Sequence, residues 1–130
     1  MKHCILVVED NQLNRELLRD WLEAEDYEVW CASDLKASYE VFSKRLPGAV
    51  LLDINLGKDD GLDLLAWMRQ KPETREIPVI AVTAHALVAE QERILQAGCR
   101  GCLSKPVDFR RLREELNRWL QDSKTSQLSS

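Results

Sequence analysis

Five polar residues could together perform chemistry, and each stands where a short apolar run ends. They are Glu9, Asp10, Asp53, Thr83 and Lys105. Three carboxylates that lie together repel one another unless a cation neutralises them, and such oxygen ligands suit Mg²⁺ rather than zinc. A lysine and a hydroxyl group beside them could hold phosphoryl oxygens. The set predicts a magnesium-dependent phosphoryl-transfer site, although each residue alone has an ordinary interpretation as a helix cap or a loop residue.

Five apolar runs alternate along the chain with longer amphipathic stretches. The runs cover residues 4–8, 28–32, 49–52, 79–82 and 102–104. This alternation predicts an α/β fold, and the nearly continuous apolar character of the first, third and fourth runs predicts parallel strands with helices on both faces. Ligands bind at the carboxyl edge of such a sheet. The five polar residues are therefore expected to converge at that edge.

Apolar residues at helical spacing predict amphipathic helices between the strands, with these faces turned to the core. Asn11 and Asp108 are the expected N-caps of the first and last helices. The stripes consist of Leu13, Leu17, Leu18, Trp21 and Leu22, then Leu62, Leu65 and Met68, then Leu87, Ile94 and Leu95, and finally Phe109, Leu112, Leu116, Trp119 and Leu120.

Length and charge limit the classes of function. The chain has 130 residues, enough for one ordinary domain, and a formal net charge of -4. A negative chain is not generally attracted to phosphate backbones or anionic membranes, so we expect no direct nucleic-acid partner. The sequence contains neither an apolar run long enough to cross a bilayer nor a signal-peptide pattern, which favours a cytoplasmic protein without membrane insertion.

The cysteines are expected to be free thiols. They are Cys4, Cys31, Cys99 and Cys102, mostly within apolar runs. Cys99 and Cys102 form a CxxC pattern, but Cys99 follows a predicted helix and Cys102 enters a strand, the reverse of redox motifs. We interpret this pair as core packing.

Four segments identify a family resemblance. VVEDNQLNR (7–15), LLDINLGKDDG (51–61), PVIAVTAHA (78–86) and GCLSKPV (101–107) resemble the receiver domain of two-component response regulators. The match is strongest to single-domain regulators of the chemotaxis and cell-cycle adaptor type and to receivers of hybrid histidine kinases. It implies a receiver domain over residues 1–121 and a flavodoxin-like fold with strand order 2-1-3-4-5 and five helices. Residues 122–130 are polar, Ser-rich and without periodicity, so we expect a flexible tail there. Met1 directly before the first strand favours a free-standing protein.

The resemblance also assigns roles at the site. It implies that Asp53 is the phosphoacceptor, that Asp10 is a direct Mg²⁺ ligand and that Glu9 acts largely through water. Asn55 matches the residue whose backbone carbonyl completes the metal shell.

Further residues match the switch that follows phosphorylation. Thr83 is similar to the hydroxyl residue that moves towards the phosphoryl group, and Lys105 to the lysine that pairs with it. The peptide between Lys105 and Pro106 is similar to one that is cis in receivers. At the position of the usual switch aromatic this chain has Cys102, which places the usual aromatic coupling in question.

The chain departs from the family pattern at three other positions. Gly57 replaces a proline and Asp59 an apolar residue in the loop after Asp53, so we expect a more flexible and more acidic loop. His85 stands where a residue influences access of the hydrolytic water in the family, although a plain surface histidine is the simpler interpretation.

The resemblance implies a signalling protein rather than a turnover enzyme. A histidine kinase or phosphotransfer protein would donate the phosphoryl group, and the modified aspartate would dephosphorylate itself slowly. Output would leave through a protein contact on the fourth helix, fifth strand and fifth helix, towards an acidic partner or a second receiver in a homodimer. Residues on that predicted face are Arg100, Cys102, Arg110, Arg111 and Arg113.

Two other functions remain open at this point. A haloacid-dehalogenase-like phosphatase also forms an aspartyl phosphate, but its nucleophile lies on the first strand and a second Asp follows two residues later, where this chain has Asn55. A degenerate receiver could act as a binding scaffold, against which the intact set of five polar residues argues. Nucleotide-binding glycine motifs are absent.

Overall fold

The computed structural model describes residues 3–57, 59–84 and 87–120, which form an α/β sandwich. The tail predicted over residues 122–130 lies outside this part of the chain, and so does His85. The elements in chain order are β1 (Cys4–Val8), α1 (Gln12–Ala24), β2 (Glu28–Ala32), α2 (Leu35–Lys44), β3 (Ala49–Asp53), β4 (Asn55–Leu56), β5 (Asp59–Asp60), α3 (Leu62–Arg69), α4 (Pro72–Arg75), β6 (Val79–Thr83), α5 (Val88–Gln96), β7 (Gly101–Ser104) and α6 (Phe109–Leu120).

The five predicted strands form one parallel sheet in the order β2-β1-β3-β6-β7. This is the predicted order 2-1-3-4-5 once the two short strands β4 and β5 are left out of the count, so the predicted flavodoxin-like fold is confirmed. All residues of β3 and β6 are buried, as their unbroken apolar sequences require. Asp53 pairs with Val82, and Thr83 pairs with Ser104. The strand ends that carry polar residues therefore meet at one edge.

Alternate residues of the strands contribute to two apolar cores, one on each face of the sheet. Leu6, Val50 and Leu52 pack with helices α2, α3 and α5 on one side. Ile5, Val7 and Leu51 belong to the opposite core, with α1 and α6. Helices on both faces are thus confirmed.

Two elements are additions to the prediction. The one-turn helix α4 brings the number of helices in the described residues to six rather than five, and β4 and β5 form a small antiparallel hairpin directly after β3. Segments of two to four residues are too short for hydrophobic periodicity to reveal.

Four leucines of the predicted core stripes are exposed, so the prediction is wrong for them. Leu13 is 74% exposed, Leu17 54%, Leu87 74% and Leu95 48%. Each helix buries a narrower face than its leucines suggest. The predicted caps are confirmed, because Asn11 Oδ1 accepts a hydrogen bond from the Asn14 N–H, and Asp108 Oδ1 accepts one from the Arg110 N–H.

All four cysteines are free thiols, as predicted. Within the described ranges, no helix combines the length and apolar character that a bilayer crossing requires.

Candidate functional site

Three carboxylates gather at the carboxyl edge of the sheet. Each of Glu9, Asp10 and Asp53 offers an oxygen atom, and these oxygens all lie within 4.8 Å of one another. Glu9 and Asp10 follow β1, and Asp53 is the last residue of the adjacent strand β3. Glu9 is 2% exposed and Asp53 3%, whereas Asp10 is open to solvent. Two buried negative charges at this spacing need a positive partner.

Lys105 is a positive partner for both buried acids. Its Nζ lies 3.1 Å from Glu9 Oε1 and 3.1 Å from Asp53 Oδ2. Burial acts to lower the pKa of Lys105, but the hydrogen bonds to Glu9 and Asp53 and the charges of these acids outweigh burial, so the pKa is raised. The ammonium group is therefore fully charged at neutral pH and bridges β1 to β3.

Backbone N–H groups fix the orientation of the same two carboxylates. The Asn11 N–H donates to Glu9 Oε2 at 3.1 Å, and the Asn55 N–H donates to Asp53 Oδ1 at 3.0 Å. Each buried acid thus accepts one bond from Lys105 and one from the chain two residues ahead. Fixed dipoles of this kind hold charge at low reorganisation cost.

The turn after Asp53 needs two glycines. Gly57 has φ 62°, which the proline common at this position in the family cannot adopt. Gly61 donates its N–H to the Ile54 carbonyl, and a Cβ atom at Gly61 would collide with the carbonyl of Asp53. The unusual loop sequence is therefore matched to the local backbone conformation.

The remaining predicted residues lie at the same edge. Thr83 is fully buried at the end of β6, and its carbonyl accepts the Lys105 N–H at 2.9 Å. The peptide between Lys105 and Pro106 is cis, as the resemblance implied. Asn55 is exposed at the start of β4.

Cys102 lies in β7. It is half-buried, and burial raises the pKa of its thiol. Glu90 raises that pKa further, whereas the charge of Arg111 acts in the opposite direction. The residue at the position of the usual aromatic switch is thus a protonated, inert thiol at neutral pH.

Two arginines of the predicted output face have contacts within the chain. Arg113 Nε donates to Glu25 Oε1 at 2.8 Å, at the end of α1. Arg100 lies 3.7 Å from Glu76 and packs over the ring of Trp119.

The acidic cluster fits a hard divalent cation. Its donors are all carboxylate oxygens, they converge from two adjacent strands, and the exposed Asp10 leaves space for the water ligands that Mg²⁺ retains. The described residues bring no His or Cys into the cluster. The chemistry of this donor set therefore suits Mg²⁺ and does not suit zinc.

An apolar groove of about 490 Å³ borders the site. Its walls include Leu17 of α1 and Val107 and Phe109 near the start of α6, and Glu9 and Lys105 line one end. The sequence did not reveal this groove, because the stripe containing Leu17 was predicted to be core.

Fold and site define a parallel α/β protein with an acidic centre at the carboxyl edge of its sheet. A family model described as the response regulator receiver domain matches residues 5–117. The polar-differentiation response regulator DivK of Brucella anthropi is 37% identical over 123 residues, covering 95% of this chain and 100% of that protein.

Solved structures show the same relationship. A response regulator of Chloroflexus aurantiacus superposes with a TM-score of 0.87 at 28% identity, covering 92% of this chain and 98% of that chain. The receiver domain of a Pseudomonas aeruginosa sensor histidine kinase, with a magnesium ion coordinated in its active site cleft, has a TM-score of 0.82 at 32% identity, with coverage of 92% and 98%. The chain belongs to the response regulator receiver family and is a signalling module of two-component systems, not a classical enzyme.

Proposed function

We propose that Asp53 accepts a phosphoryl group from the phosphohistidine of a histidine kinase or phosphotransfer protein, in a reaction that depends on Mg²⁺. The supporting observation is the joint geometry of the acids and the lysine. Three carboxylate oxygens lie within 4.8 Å of one another, and Lys105 Nζ contacts the two buried ones at 3.1 Å each. Glu9, Asp10, Asp53 and the carbonyl of Asn55 would hold the ion.

The residues of the chain have distinct roles in the transfer. The Asp53 carboxylate attacks the phosphorus in line, an O–P bond forms, and the donor P–N bond breaks with its electron pair left on the imidazole. Bound Mg²⁺ would supply positive charge opposite the phosphoryl oxygens. Lys105 then exchanges its bond to Asp53 for one to a phosphoryl oxygen, and the Thr83 hydroxyl donates another. Asn55, two residues after Asp53, offers no acid or base for rapid turnover, which supports slow self-dephosphorylation.

Mass spectrometry of the intact protein tests the acceptor. With acetyl phosphate and Mg²⁺ we expect one added phosphoryl group, and none in EDTA. Asp53→Ala should remain unlabelled, while the exposed acid Asp63 provides the control, because Asp63→Ala should label as wild type does. Equal labelling of Asp53→Ala would refute the assignment, and an unlabelled wild type would favour the scaffold interpretation.

The groove beside the site is a suitable binding site for the donor protein. It shares Glu9 and Lys105 with the site, so a helix lying against Leu17 would carry its phosphohistidine close to Asp53. Leu17→Arg should slow transfer from a cognate kinase at least tenfold yet leave labelling by acetyl phosphate unchanged. Leu95→Arg, on the distant helix α5, is the control. A cognate kinase can be found by phosphotransfer profiling, and equal rates for both variants would exclude this groove.

The proposed output passes through α5, β7 and α6. Leu87, just before α5, and Val88 and Leu95 on α5 are exposed, and Cys102 and Arg111 belong to the same proposed face. An acidic partner protein or a second receiver would bind there. A phosphoryl group can shift a two-state equilibrium only through contacts that differ between the states.

Without an aromatic ring to rotate, the movement of Thr83 must carry the signal. Amide chemical shifts on adding beryllofluoride and Mg²⁺ should change from Thr83 through α5. Shifts confined to the Asp53 pocket, together with partner binding that still responds to phosphorylation, would assign output to another face.

A further inference from the structure

Arg15 holds the turn that carries the acidic pair. Its Nη1 donates to the carbonyl of Glu9 at 2.9 Å and to the carbonyl of Asp10 at 3.4 Å. The guanidinium therefore reaches back from the first turn of α1 over the residues between β1 and the helix. Within the described ranges, no carboxylate lies within ion-pair distance of Arg15.

Helix stability does not explain an arginine at this position. Arg15 lies in the first turn of α1, where positive charge is unfavourable because it faces the positive end of the helix dipole. The helix start already has its own cap in Asn11. What the side chain contributes lies outside the helix, at the two carbonyls.

The two acids depend on this turn to different extents. Glu9 is also held by the Asn11 N–H and by Lys105. The Asp10 carboxylate accepts no hydrogen bond from the described part of the chain, so the position of its backbone is the restraint that the site offers it. A guanidinium that bonds both carbonyls restrains that backbone.

We propose that Arg15 is a positioning residue for the Mg²⁺ site, fixing the backbone of Glu9 and Asp10 so that their carboxylates converge with Asp53. This inference rests on the proposed function, because it concerns the affinity of that same site. A preorganised ligand set binds its ion more tightly, since the ordering cost is met on folding.

Arg19 supplies a matched control. It stands one helical turn after Arg15 on the same side of α1, and it is exposed. Burial raises the pKa of the Cys31 thiol in β2, and both Arg19 and Arg15 act against that rise, so both guanidiniums lie near the same strand. Of these two arginines, only Arg15 has a hydrogen bond to the turn between β1 and α1 among the described residues.

The test compares Arg15→Met, Arg15→Lys and Arg19→Met. Isothermal titration with Mg²⁺ should give a Kd about tenfold weaker for Arg15→Met, equivalent to about 1.4 kcal/mol. Arg15→Lys, which keeps the charge but has no fork of donors, should be intermediate, and Arg19→Met should match wild type. In EDTA, the amide of Asn11 should exchange faster in Arg15→Met, because its acceptor on Glu9 moves. The labelling rate at saturating Mg²⁺ should change less than the Kd.

The outcomes separate the two proposals. If wild type binds no Mg²⁺, the proposed function fails and this inference fails with it. If wild type binds Mg²⁺ and a folded Arg15→Met binds within twofold, only the role of Arg15 is refuted. Should Arg15→Met fail to fold, Arg15→Lys decides, and unchanged affinity and Asn11 exchange in that variant refute the role.

Discussion

Charged residues cluster at both ends of the parallel strands. The cluster at the carboxyl ends, here called the carboxyl edge, is acidic and buried, whereas the cluster at the amino ends, here called the opposite edge, is mainly basic and exposed. At the carboxyl edge, Glu9 and Asp53 are almost completely buried and share one lysine. At the opposite edge, a cleft of about 260 Å³ is bordered by three exposed arginines and Glu76. The arginines are Arg69, Arg75 and Arg100.

The opposite edge has a structural explanation that the site lacks. Arg69 and Arg75 stand in the last turns of α3 and α4, and Arg69 Nη1 donates to the Ala97 carbonyl at 2.7 Å, where α5 ends. Cations at helix carboxyl ends are favourable, so these charges stabilise the fold. Buried acids close together raise the energy of the metal-free fold. Charges that stabilise helix ends have a structural role. Buried charges that destabilise the metal-free fold have no such role, and they indicate the functional site.

The largest effect is expected from Lys105→Met. This change leaves two buried carboxylates without their shared cation, and the free energy of unfolding in EDTA should fall by about 2 kcal/mol. Urea denaturation measures this loss, which Mg²⁺ should reduce. Lys36→Met, at an exposed position, is the control. A loss no larger than that of Lys36→Met would contradict the idea that the acids depend on Lys105.

The stabilisation that Lys105 gains from its ion pairs with Glu9 and Asp53 should decrease as pH rises. Because the folded protein raises the pKa of Lys105, the stabilisation from its ion pairs is fully present below the unfolded pKa of about 10.4 and is lost as pH rises through the folded pKa. Stability curves of wild type and Lys105→Met should converge as pH rises through that range. Curves that stay parallel would show that the ammonium charge is not responsible.

Arg69→Met is the corresponding test at the opposite edge. It removes the hydrogen bond to Ala97 and should lower stability by about 1 kcal/mol, a discounted value because the side chain is exposed. Unlike the loss in Lys105→Met, this loss should be the same in EDTA and in Mg²⁺. Arg75→Met, which has no such bond among the described residues, serves as the comparison. A Mg²⁺-dependent loss in Arg69→Met would remove the distinction between the two edges.

Asp10→Asn should act in the opposite direction. Asp10 adds repulsion without sharing Lys105, so its neutralisation should raise the unfolding free energy in EDTA by about 0.5 kcal/mol. Asp53→Asn should gain less, because it also weakens the contact with Lys105. Mg²⁺ should reverse the advantage of Asp10→Asn by stabilising wild type. Equal midpoints in EDTA would show that the acids do not repel one another.

The sequence predicted the elements that have a regular hydrophobic pattern. Strands such as β3 and β6 are continuous apolar runs, and Asp53 and Thr83 stand where those runs end. The hairpin of β4 and β5 could not be predicted, because two-residue strands have no periodicity. The alternation of strands and helices predicted that Glu9, Asp53 and Lys105 converge at one edge, whereas the strand order came from the family resemblance.

The side-chain contacts within the site could not be predicted from the sequence. Nothing in the spacing of Arg15 shows that it reaches back to Glu9, because helical periodicity reports burial and not the direction of a long polar side chain. Leu13 and Leu17 were misassigned for a related reason, since an apolar stripe does not distinguish core from an exposed binding surface.

The smallest effect is expected from Cys99, which lies just before β7 at the opposite edge. Burial raises the pKa of its thiol to about 12, well above its value of about 8.5 in an unfolded chain. Above the lower value the unfolded chain releases a proton that the folded chain retains, so stability falls as pH rises. Between pH 8 and 8.5 this thiol should lower stability by about 0.2 kcal/mol, a contribution that Cys99→Ala removes. Ile94→Val, in the same core, should lower stability without altering the slope. If the dependence of stability on pH is unchanged in Cys99→Ala, burial does not control the titration of this thiol.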